Sequence, residues 1–293
     1  MQKGILIYAL GHSNYYRMAE VLAASLIANG TKEDDIKIGV ICDNEKELIY
    51  PQLFDAIIHL PFEKFSVKDK LVFNHATILV YDLSPFETTI KLDADMVWLN
   101  GRKPSDLFKT LEDIDITFEN NGFDELSKAT RKRSVWAPPE EIQKAYKFSG
   151  EERCYSVFGE FVYFKKTKEN KDFFKRVQTI YHKPKVACAD FSNGTFTDEL
   201  AIQIAIMQTG VYPHEENFAP ILNLFLGYNH LKYKYAYELP ASFYAYSIGG
   251  NITPVWQRNQ YNILASHYYR KLGLQNPFQA TDKRRFLVER IKL

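Results

Sequence analysis

Two carboxylates one residue apart, Asp93 and Asp95, follow a short apolar run that begins at Thr88. The run is rich in β-branched and apolar residues and comes after the turn-forming pair Ser84-Pro85, a pattern that predicts a buried strand. Alternate residues of a strand point to the same side, so we expect the two carboxylates to converge. Converging carboxylates repel each other unless a cation lies between them, and hard divalent cations take oxygen ligands of this kind. The pair is therefore a candidate binding site for a metal ion that also coordinates a diphosphate.

A second pair with the same spacing, Asp113 and Asp115, serves as an internal comparison. It follows a helix-like segment and opens the apolar stretch 114–118, which is the pattern of a helix-to-strand connection. No special chemistry is expected at this second pair. Spacing alone therefore does not identify a metal site, and a solvated strand end is the alternative interpretation of Asp93 and Asp95.

The residues around Asp93 and Asp95 resemble those of a known family. A helical stretch, the turn Ser84-Pro-Phe-Glu87, a short strand and Leu92-Asp-Ala-Asp95 succeed one another as in the nucleotide-sugar-binding half of the GT-A glycosyltransferases. The similarity is greatest to the glycogenin-like and galactosyltransferase-like (family 8-type) enzymes and their bacterial and phage relatives. The opening, Gly4 to Tyr16, is similar as well, because it reads as a strand, a Gly-containing turn and a helix.

This resemblance implies an enzyme that moves a hexosyl or pentosyl group from a nucleotide-diphosphate sugar, in the first place a UDP-sugar, to an acceptor hydroxyl. It implies that Asp93 and Asp95 hold Mn²⁺ or Mg²⁺ against the diphosphate. His267 lies where the family often has a third metal ligand, although the Gly, Lys and Pro pattern that follows it there is only partly present. The implied donor-binding residues are Ala9, Gly11, His12, Asn14, Asp43, Lys70, Asp93, Ala94 and Asp95.

Three acidic residues of the second half, Asp190, Asp198 and Glu199, are candidate catalytic carboxylates. The resemblance implies that the carboxylates nearest the sugar lie in this region. Thr195 stands three residues before Asp198, as in a capping box, so a purely structural role at a helix start is the alternative. Glu160 is a further candidate for contact with the acceptor.

The stereochemical course and the class of function stay open at this point. The relatives that look most similar retain the anomeric configuration, which favours retention, whereas an inverting enzyme would use one of the three acids as a base. A sugar nucleotidyltransferase would carry a Gly-rich, basic phosphate loop that the segment 10–14 lacks. A non-catalytic nucleotide-sugar-binding module would have lost the carboxylates that Asp93 and Asp95 supply.

The composition of the chain limits the class of protein and the number of domains. The chain has 293 residues, 46% of them hydrophobic and 25% charged, as expected of a soluble globular protein with one large domain or two small ones. No apolar run approaches the ~18–20 residues that span a bilayer, and the segment 5–10 is too short for a signal peptide. The 3 cysteines have no metal-binding or redox spacing. We therefore expect a cytoplasmic protein with reduced thiols.

Strands and helices alternate through the first half, which predicts βαβ units. We expect an α/β, GT-A (Rossmann-like) single domain with a mainly parallel central sheet flanked by helices, plus a C-terminal extension. Its predicted parts are a nucleotide-sugar-binding half (1–120), an acceptor-side half (121–275) and a basic tail (276–293). The predicted strands are 5–9, 36–42, 56–60, 88–92 and 158–165, and the predicted helices are 14–28, 68–81, 169–181 and one that ends at 208. The segment 121–155 is expected to be an exposed insertion or mobile loop.

Charge is unevenly distributed although the net charge is only +1. Between Lys165 and Lys185 there are eight basic and two acidic residues, and between Arg270 and Leu293 there are seven and two. Such runs are either solvated helix faces or a surface for an anionic acceptor. An anionic acceptor would be a phosphorylated glycan or lipid, or a nucleic acid such as the hydroxylated or hydroxymethylated bases of phage DNA. Aromatic pairs such as Tyr15-Tyr16 either fill the core or form a platform for a sugar or a base.

Overall fold

The computed structural model describes residues 2–67, 70–130, 133–134, 136–188, 196–214, 217–223, 242–247 and 264–276. The strands are β1 (Lys3–Ala9), β2 (Lys37–Cys42), β3 (Ala56–His59), β4 (Ser66–Val67), β5 (Lys70–Leu71), β6 (Thr88–Leu92), β7 (Met96–Trp98), β8 (Ile116–Glu125), β9 (Arg153–Lys165), β10 (Ile221–Asn223) and β11 (Ala245–Ser247). The helices are α1 (Ser13–Ala28), α2 (Phe73–Thr77), α3 (Val80–Leu83), α4 (Pro104–Thr110), α5 (Pro139–Tyr146), α6 (Lys168–His182) and α7 (Asp198–Thr209). Residues 264–271 are also helical.

The chain divides into two compact units that interleave along the sequence. The N-terminal unit contains residues 2–59, 92–112 and the described residues from Pro220 onwards. The central unit contains residues 60–91 and 113–219. The predicted domain bounds at 120 and 275 stay a prediction.

A βαβ arrangement opens the N-terminal unit. Strands β1, β2 and β3 pair in parallel, with Gly4 opposite Lys37 and Gly39 opposite Ala56. All residues of β1 and β2 except the first of each are buried, as is usual for parallel strands that are covered on both faces. Helix α1 ends at Asn29, and the following Gly30 has a φ of 101°, a backbone conformation that glycine adopts without strain.

Trp98 at the end of β7 organises the second part of the N-terminal unit. Strand β7 pairs with β11, which pairs with β10. The Trp98 backbone N–H donates to Ser25 Oγ at 2.9 Å, and the Trp98 carbonyl accepts the Tyr268 hydroxyl at 2.7 Å. These bonds connect β7 to α1 and to the helix at 264–271.

The central unit is built on the antiparallel pair β8 and β9. Ile116 lies opposite Phe164, and the register shifts between Phe118 and Glu119. Helix α6 buries Phe173, Phe174 and Val177 and exposes most of its lysines, so its apolar residues recur at helical spacing.

The strand order is β3-β2-β1 in the N-terminal unit and β6-β9-β8 in the central unit. The predicted fold class is therefore confirmed: an α/β architecture with a mainly parallel central sheet flanked by helices. The predicted strand 88–92 coincides with β6, and the strand predicted at 158–165 is the second part of the longer β9. No helix among the described parts of the chain is long and apolar enough to cross a membrane. The predicted C-terminal extension lies, apart from residue 276, outside the described residues.

The single helix predicted over 68–81 is wrong. Val67 pairs with Lys70 in the β4–β5 hairpin, and the Val72 backbone N–H donates to the Phe65 carbonyl at 2.7 Å. Two short helices, α2 and α3, follow this hairpin and are separated at Ile78 and Leu79. The apolar spacing of the segment fits a helix, but the backbone pairing of its first residues excludes one.

The prediction of an exposed insertion or mobile loop at 121–155 is also wrong for the described residues. Strand β8 continues to Glu125, and β9 begins at Arg153, which lies opposite it. Between the two strands, Leu126, Ala137 and Ile142 are fully or almost fully buried. The charged and proline-rich composition suggested a solvent-exposed segment, but the segment begins and ends in paired strands and buries its few apolar residues.

Candidate active site

The β1–α1 turn is held to the end of β2 by Asp43. Gly11 has a φ of 74°, which favours glycine, and its backbone N–H donates to Asp43 Oδ1 at 2.9 Å. The Tyr16 hydroxyl donates to the same oxygen and accepts the Asn44 backbone N–H at 2.9 Å. Burial and then the bond to Asp43 raise the pKa of the Tyr16 hydroxyl, so it remains a donor. Asp43 therefore shapes this turn, in addition to the donor-binding role predicted for it.

The N-terminus of α1 faces solvent next to this turn. His12 is the N-cap, and its Nδ1 accepts the Asn14 backbone N–H at 3.1 Å. Both residues are exposed, whereas Ala9 at the end of β1 is fully buried. The first turn of α1 contains no acidic residue, so no carboxylate of that turn offsets the positive end of the helix dipole.

Asp93, Ala94 and Asp95 form the turn between β6 and β7. Burial raises the pKa of the half-buried Tyr15 hydroxyl, and the charges of Asp95 and then Asp93 raise it further. Both carboxylates therefore lie near one hydroxyl of α1. The two carboxylates lie in this connection and not in the extended strand that the expectation assumed, so their convergence on one cation stays a prediction.

The other Asp-x-Asp pair has the structural role that was predicted. Asp113 and Asp115 are exposed and lie in the connection between α4 and β8. Asp115 forms an ion pair with Lys165 at 3.3 Å. This pair is therefore a useful control for experiments on Asp93 and Asp95.

His267 lies on the helix at 264–271, next to Tyr268, whose hydroxyl donates to the Trp98 carbonyl. Trp98 follows Asp95 by three residues in β7. Burial lowers the pKa of His267, and the charges of Lys271 and Arg270 lower it further, so its imidazole is neutral near pH 7.

The donor set of Asp93 and Asp95 fits a divalent cation, because two carboxylates offer hard oxygen ligands beside a neutral hydroxyl. In the described parts of the chain, no three His, Cys, Asp or Glu side chains lie close enough together to hold a metal ion. A cation that is held by only two carboxylates commonly takes its remaining ligands from water and from substrate phosphates. The role of His267 as a third ligand stays a prediction.

Two predicted site residues are only partly described. Lys70 lies in β5 and not on a helix, and its side chain is outside the described set. Asp190 lies outside the described residues, as does Thr195, the predicted helix cap. The observed N-cap of α7 is Thr197, whose hydroxyl accepts the Leu200 backbone N–H at 3.1 Å, so the predicted cap position is wrong.

Asp198 and Glu199 lie in the first turn of α7, against strand β9. Asp198 is only 9% exposed, and its Oδ2 accepts the Thr77 hydroxyl at 2.8 Å. Glu199 Oε1 accepts the Gly159 backbone N–H at 3.3 Å, and its Oε2 accepts the indole N–H of Trp136. Both carboxylates are therefore held in position by neutral donors. The predicted candidate Glu160 lies next to Gly159 in β9 and is half-buried.

Lys91 and Trp136 belong to this cluster although no motif indicated them. The Lys91 side chain is 2% exposed, and its ammonium group donates to the Gly159 carbonyl at 2.6 Å. A lysine inside an apolar strand is itself a signal, because a buried charge requires a partner. No feature of the sequence around Trp136 indicated that this residue belongs to the cluster.

An aromatic cluster lies beside Asp198. The ring of Tyr181 is 5.1 Å from that of His75, which is 5.7 Å from that of His182. Burial raises the pKa of the Tyr181 hydroxyl, and the charges of Asp198 and Cys188 raise it further. The phenol therefore stays protonated at neutral pH.

No family model and no curated protein matches this chain. Solved structures do match it. The apo structure of the bifunctional glycosyltransferase WbbM aligns with a TM-score of 0.57 at 12% identity over 92% of this chain, which spans about half (51%) of the WbbM chain. A galactosyltransferase, LgtC, in complex with donor and acceptor sugar analogues aligns with a TM-score of 0.52 at 14% identity over 92% of this chain and 95% of LgtC. Mouse xyloside xylosyltransferase 1 aligns with a TM-score of 0.50 at 12% identity over 87% of this chain and 100% of its own. The chain has the GT-A fold of these glycosyltransferases.

Proposed function

We propose that this protein is a metal-dependent glycosyltransferase that moves a sugar from a nucleotide-diphosphate sugar, a UDP-sugar in the first place, to an acceptor hydroxyl with retention of configuration. The observation that carries the proposal is the connection between β6 and β7, which places Asp93 and Asp95 directly after a buried strand and where the charges of both raise the pKa of the Tyr15 hydroxyl. The GT-A fold supports the same donor class.

The proposed donor contacts lie in the N-terminal unit, with the exception of Lys70, which belongs to the central unit. Gly11, His12 and Asn14 present the exposed N-terminus of α1, a site that favours phosphate groups. Asp43 holds the turn that carries them. The further proposed donor contacts are Ala9, Lys70 and Ala94.

Asp93 and Asp95, with His267 as the proposed third ligand, would hold Mn²⁺ or Mg²⁺. When bound, the cation neutralises the charge that develops on the departing diphosphate. The imidazole of His267 is neutral near pH 7, which is the protonation state that a metal ligand needs.

Asp198 and Glu199 serve the acceptor side, with Asp190 as a further proposed carboxylate. In a retaining reaction the bond from the anomeric carbon to the diphosphate breaks, and the acceptor oxygen bonds to that carbon on the same face. The acceptor proton passes to an oxygen of the departing phosphate. Glu199 and Asp198 then orient the acceptor and stabilise positive charge at the anomeric carbon.

An anionic acceptor is the second candidate for the same chemistry. Helix α6 exposes Lys168, Lys171 and Lys175 at helical spacing, which fits a phosphate-rich partner such as DNA. Glu169 and Asp172 are exposed on the same helix and weaken that positive field.

The proposal is tested by a screen of nucleotide sugars with Mn²⁺, in which thermal stabilisation and release of the nucleoside diphosphate are measured. We expect one nucleotide sugar to stabilise the wild-type protein and to be hydrolysed slowly. Asp95→Ala should abolish the metal-dependent shift and reduce release by about 100-fold or more, because a metal ligand is lost. Asp113→Ala, at the other Asp-x-Asp pair, is the matched control and should behave as wild type. If no nucleotide sugar binds, or if Asp95→Ala is fully active, the proposal is wrong.

A further inference from the structure

Arg133, Ser134 and Trp136 are bound to α7 by two of its side chains, which lie one helical turn apart. Gln203 Oε1 accepts the Ser134 hydroxyl at 3.0 Å, and Gln203 Nε2 donates to the Arg133 carbonyl at 2.9 Å. Glu199, four residues before Gln203, accepts the indole N–H of Trp136. Residues four apart lie on the same helix face, so both side chains of α7 hold the same segment.

These contacts fix the orientation of the Trp136 ring. The indole has a single N–H donor, and that donor is engaged by Glu199 Oε2. The other carboxylate oxygen is held by the Gly159 backbone N–H at 3.3 Å. Trp136 and Glu199 are each partly exposed, whereas Ser134, Ala137 and Asp198 are buried. Among these residues, Trp136 and Glu199 are therefore the two that solvent reaches in part.

A partly exposed indole beside a carboxylate has the chemistry of a site for a neutral sugar. The apolar C–H face of a pyranose packs on an aromatic ring, and its hydroxyl groups donate to carboxylate oxygens. Each oxygen of a carboxylate has two lone pairs, so Glu199 can accept from a sugar hydroxyl in addition to its present donors. The negative charges of Glu199 and Asp198 disfavour a phosphate at this position.

We infer that the acceptor is a neutral saccharide whose ring packs on Trp136 while one of its hydroxyl groups donates to Glu199. This inference rests on the proposed glycosyltransferase function and names its acceptor class. Trp136 is then a specificity-determining residue of the acceptor site, and the exposed lysines of α6 are not the acceptor surface.

The test measures diphosphate release from the nucleotide sugar with Mn²⁺ and added acceptor probes. The neutral probes are methyl β-galactoside, methyl β-glucoside and lactose, and the anionic probes are glucose 6-phosphate and a DNA duplex that contains hydroxymethylcytosine. We expect at least one neutral glycoside to accelerate release and to appear in a glycosylated product. Trp136→Leu should raise the KM for that glycoside about tenfold or more, the factor that corresponds to loss of an aromatic contact.

Two further variants separate recognition from structural support. Trp136→Phe keeps an aromatic face but lacks the N–H donor to Glu199, so it should lower kcat while the acceptor KM stays within about threefold. Tyr212→Leu changes another partly exposed aromatic residue of the same unit, at 39% exposure, and should behave as wild type. A thermal shift with the nucleotide sugar shows whether each variant is folded.

The outcomes distinguish this inference from the proposed function. If the donor is neither bound nor hydrolysed, the proposed function fails. If the donor is hydrolysed but only an anionic probe accelerates release, or none does, the saccharide acceptor is wrong and the glycosyltransferase proposal stands. An unchanged acceptor KM in folded Trp136→Leu also overturns the inference.

Discussion

Replacement of Gly159 by alanine should place a methyl group directly against the acidic cluster of α7. A Cβ atom at this position would lie 2.8 Å from Asp198 Oδ2, 3.6 Å from Asp198 Cγ and 3.7 Å from Glu199 Cγ. The first distance is closer than side chains tolerate, whereas the other two are ordinary contacts. The cost of Gly159→Ala is therefore steric and is concentrated on the Asp198 carboxylate.

Asp198 has little room to move away. It is 9% exposed, its backbone starts α7, and the Thr77 hydroxyl donates to the same Oδ2 at 2.8 Å. Overpacking of a buried position usually costs about 1–3 kcal/mol, and displacement of Asp198 also weakens the Thr77 bond. We expect the free energy of unfolding to fall by about 2–3 kcal/mol. Misplacement of a functional group by about 1 Å can reduce turnover by about 100-fold, so we expect a loss of transfer activity of that size in the folded variant.

The assay is urea unfolding combined with glycosyl transfer. Gly101→Ala is the matched control, because Gly101 has a φ of 77° and, apart from Gly101 and its two chain neighbours, no described residue has an atom within 4 Å of the methyl group that alanine would add. Only backbone strain is therefore introduced there. That control should lose about 1–2 kcal/mol of stability and keep its activity.

A double-mutant cycle gives the sharpest test of the steric argument. Asp198→Ala removes the clashing oxygen, so Gly159→Ala should cost much less stability in that background than in the wild type. An equal cost in both backgrounds, or no cost in either, would refute the assignment of the clash to Asp198.

Two further predictions concern the turn after β1 and the half-buried His75. Asp43→Ala leaves the Gly11 N–H and the Tyr16 hydroxyl without their common acceptor, so the free energy of unfolding in urea should fall by roughly 2–3 kcal/mol. Thermal-shift titration should also show weaker binding of the nucleotide sugar. Wild-type values in both measurements would contradict the role of Asp43. Burial, and then the charge of His182, lower the pKa of His75, so the folded state disfavours the protonated imidazole. The stability that neutral His75 contributes is therefore complete above its ordinary pKa of 6.5 and is lost as the pH falls below that pKa. His75→Phe keeps a ring but cannot titrate, so stability measured from pH 7 to pH 5 should fall less than in wild type; parallel curves would contradict this.

Local patterns were enough to predict several elements of the site. The strand 88–92 was predicted from an apolar, β-branched run that follows a turn, and β6 has these bounds. Acids near a helix start are a local signal, and they indicated a helix start near Asp198 and Glu199, although its cap is Thr197 and not Thr195. The sequence context of Asp113 and Asp115 also distinguished this pair from the candidate metal-binding pair. The ion pair of Asp115 agrees with the structural role that this context predicts.

Sequence patterns gave wrong predictions where two types of secondary structure compete for the same residues. The segment 68–81 has apolar residues at helical spacing, yet Val67 and Lys70 pair in a hairpin before α2 begins. For residues 121–155, the charged composition led to the prediction of an exposed segment, because the segment contains few apolar residues. Reasoning from a single sequence does not include the distant strand with which a segment pairs, and that tertiary context decides which structure forms.

The amino-acid sequence by itself determined the α/β architecture, the strand that leads to Asp93 and Asp95, and the helix start that carries Glu199. Each depends on hydrogen bonds and side-chain periodicity within a few residues, which a local pattern records. Only the tertiary structure decided that Glu199 is held by Trp136, 63 residues earlier, and that Lys91 donates to the Gly159 carbonyl, 68 residues later. Such contacts arise when the packing of the whole fold brings distant segments together, and no local spacing encodes them.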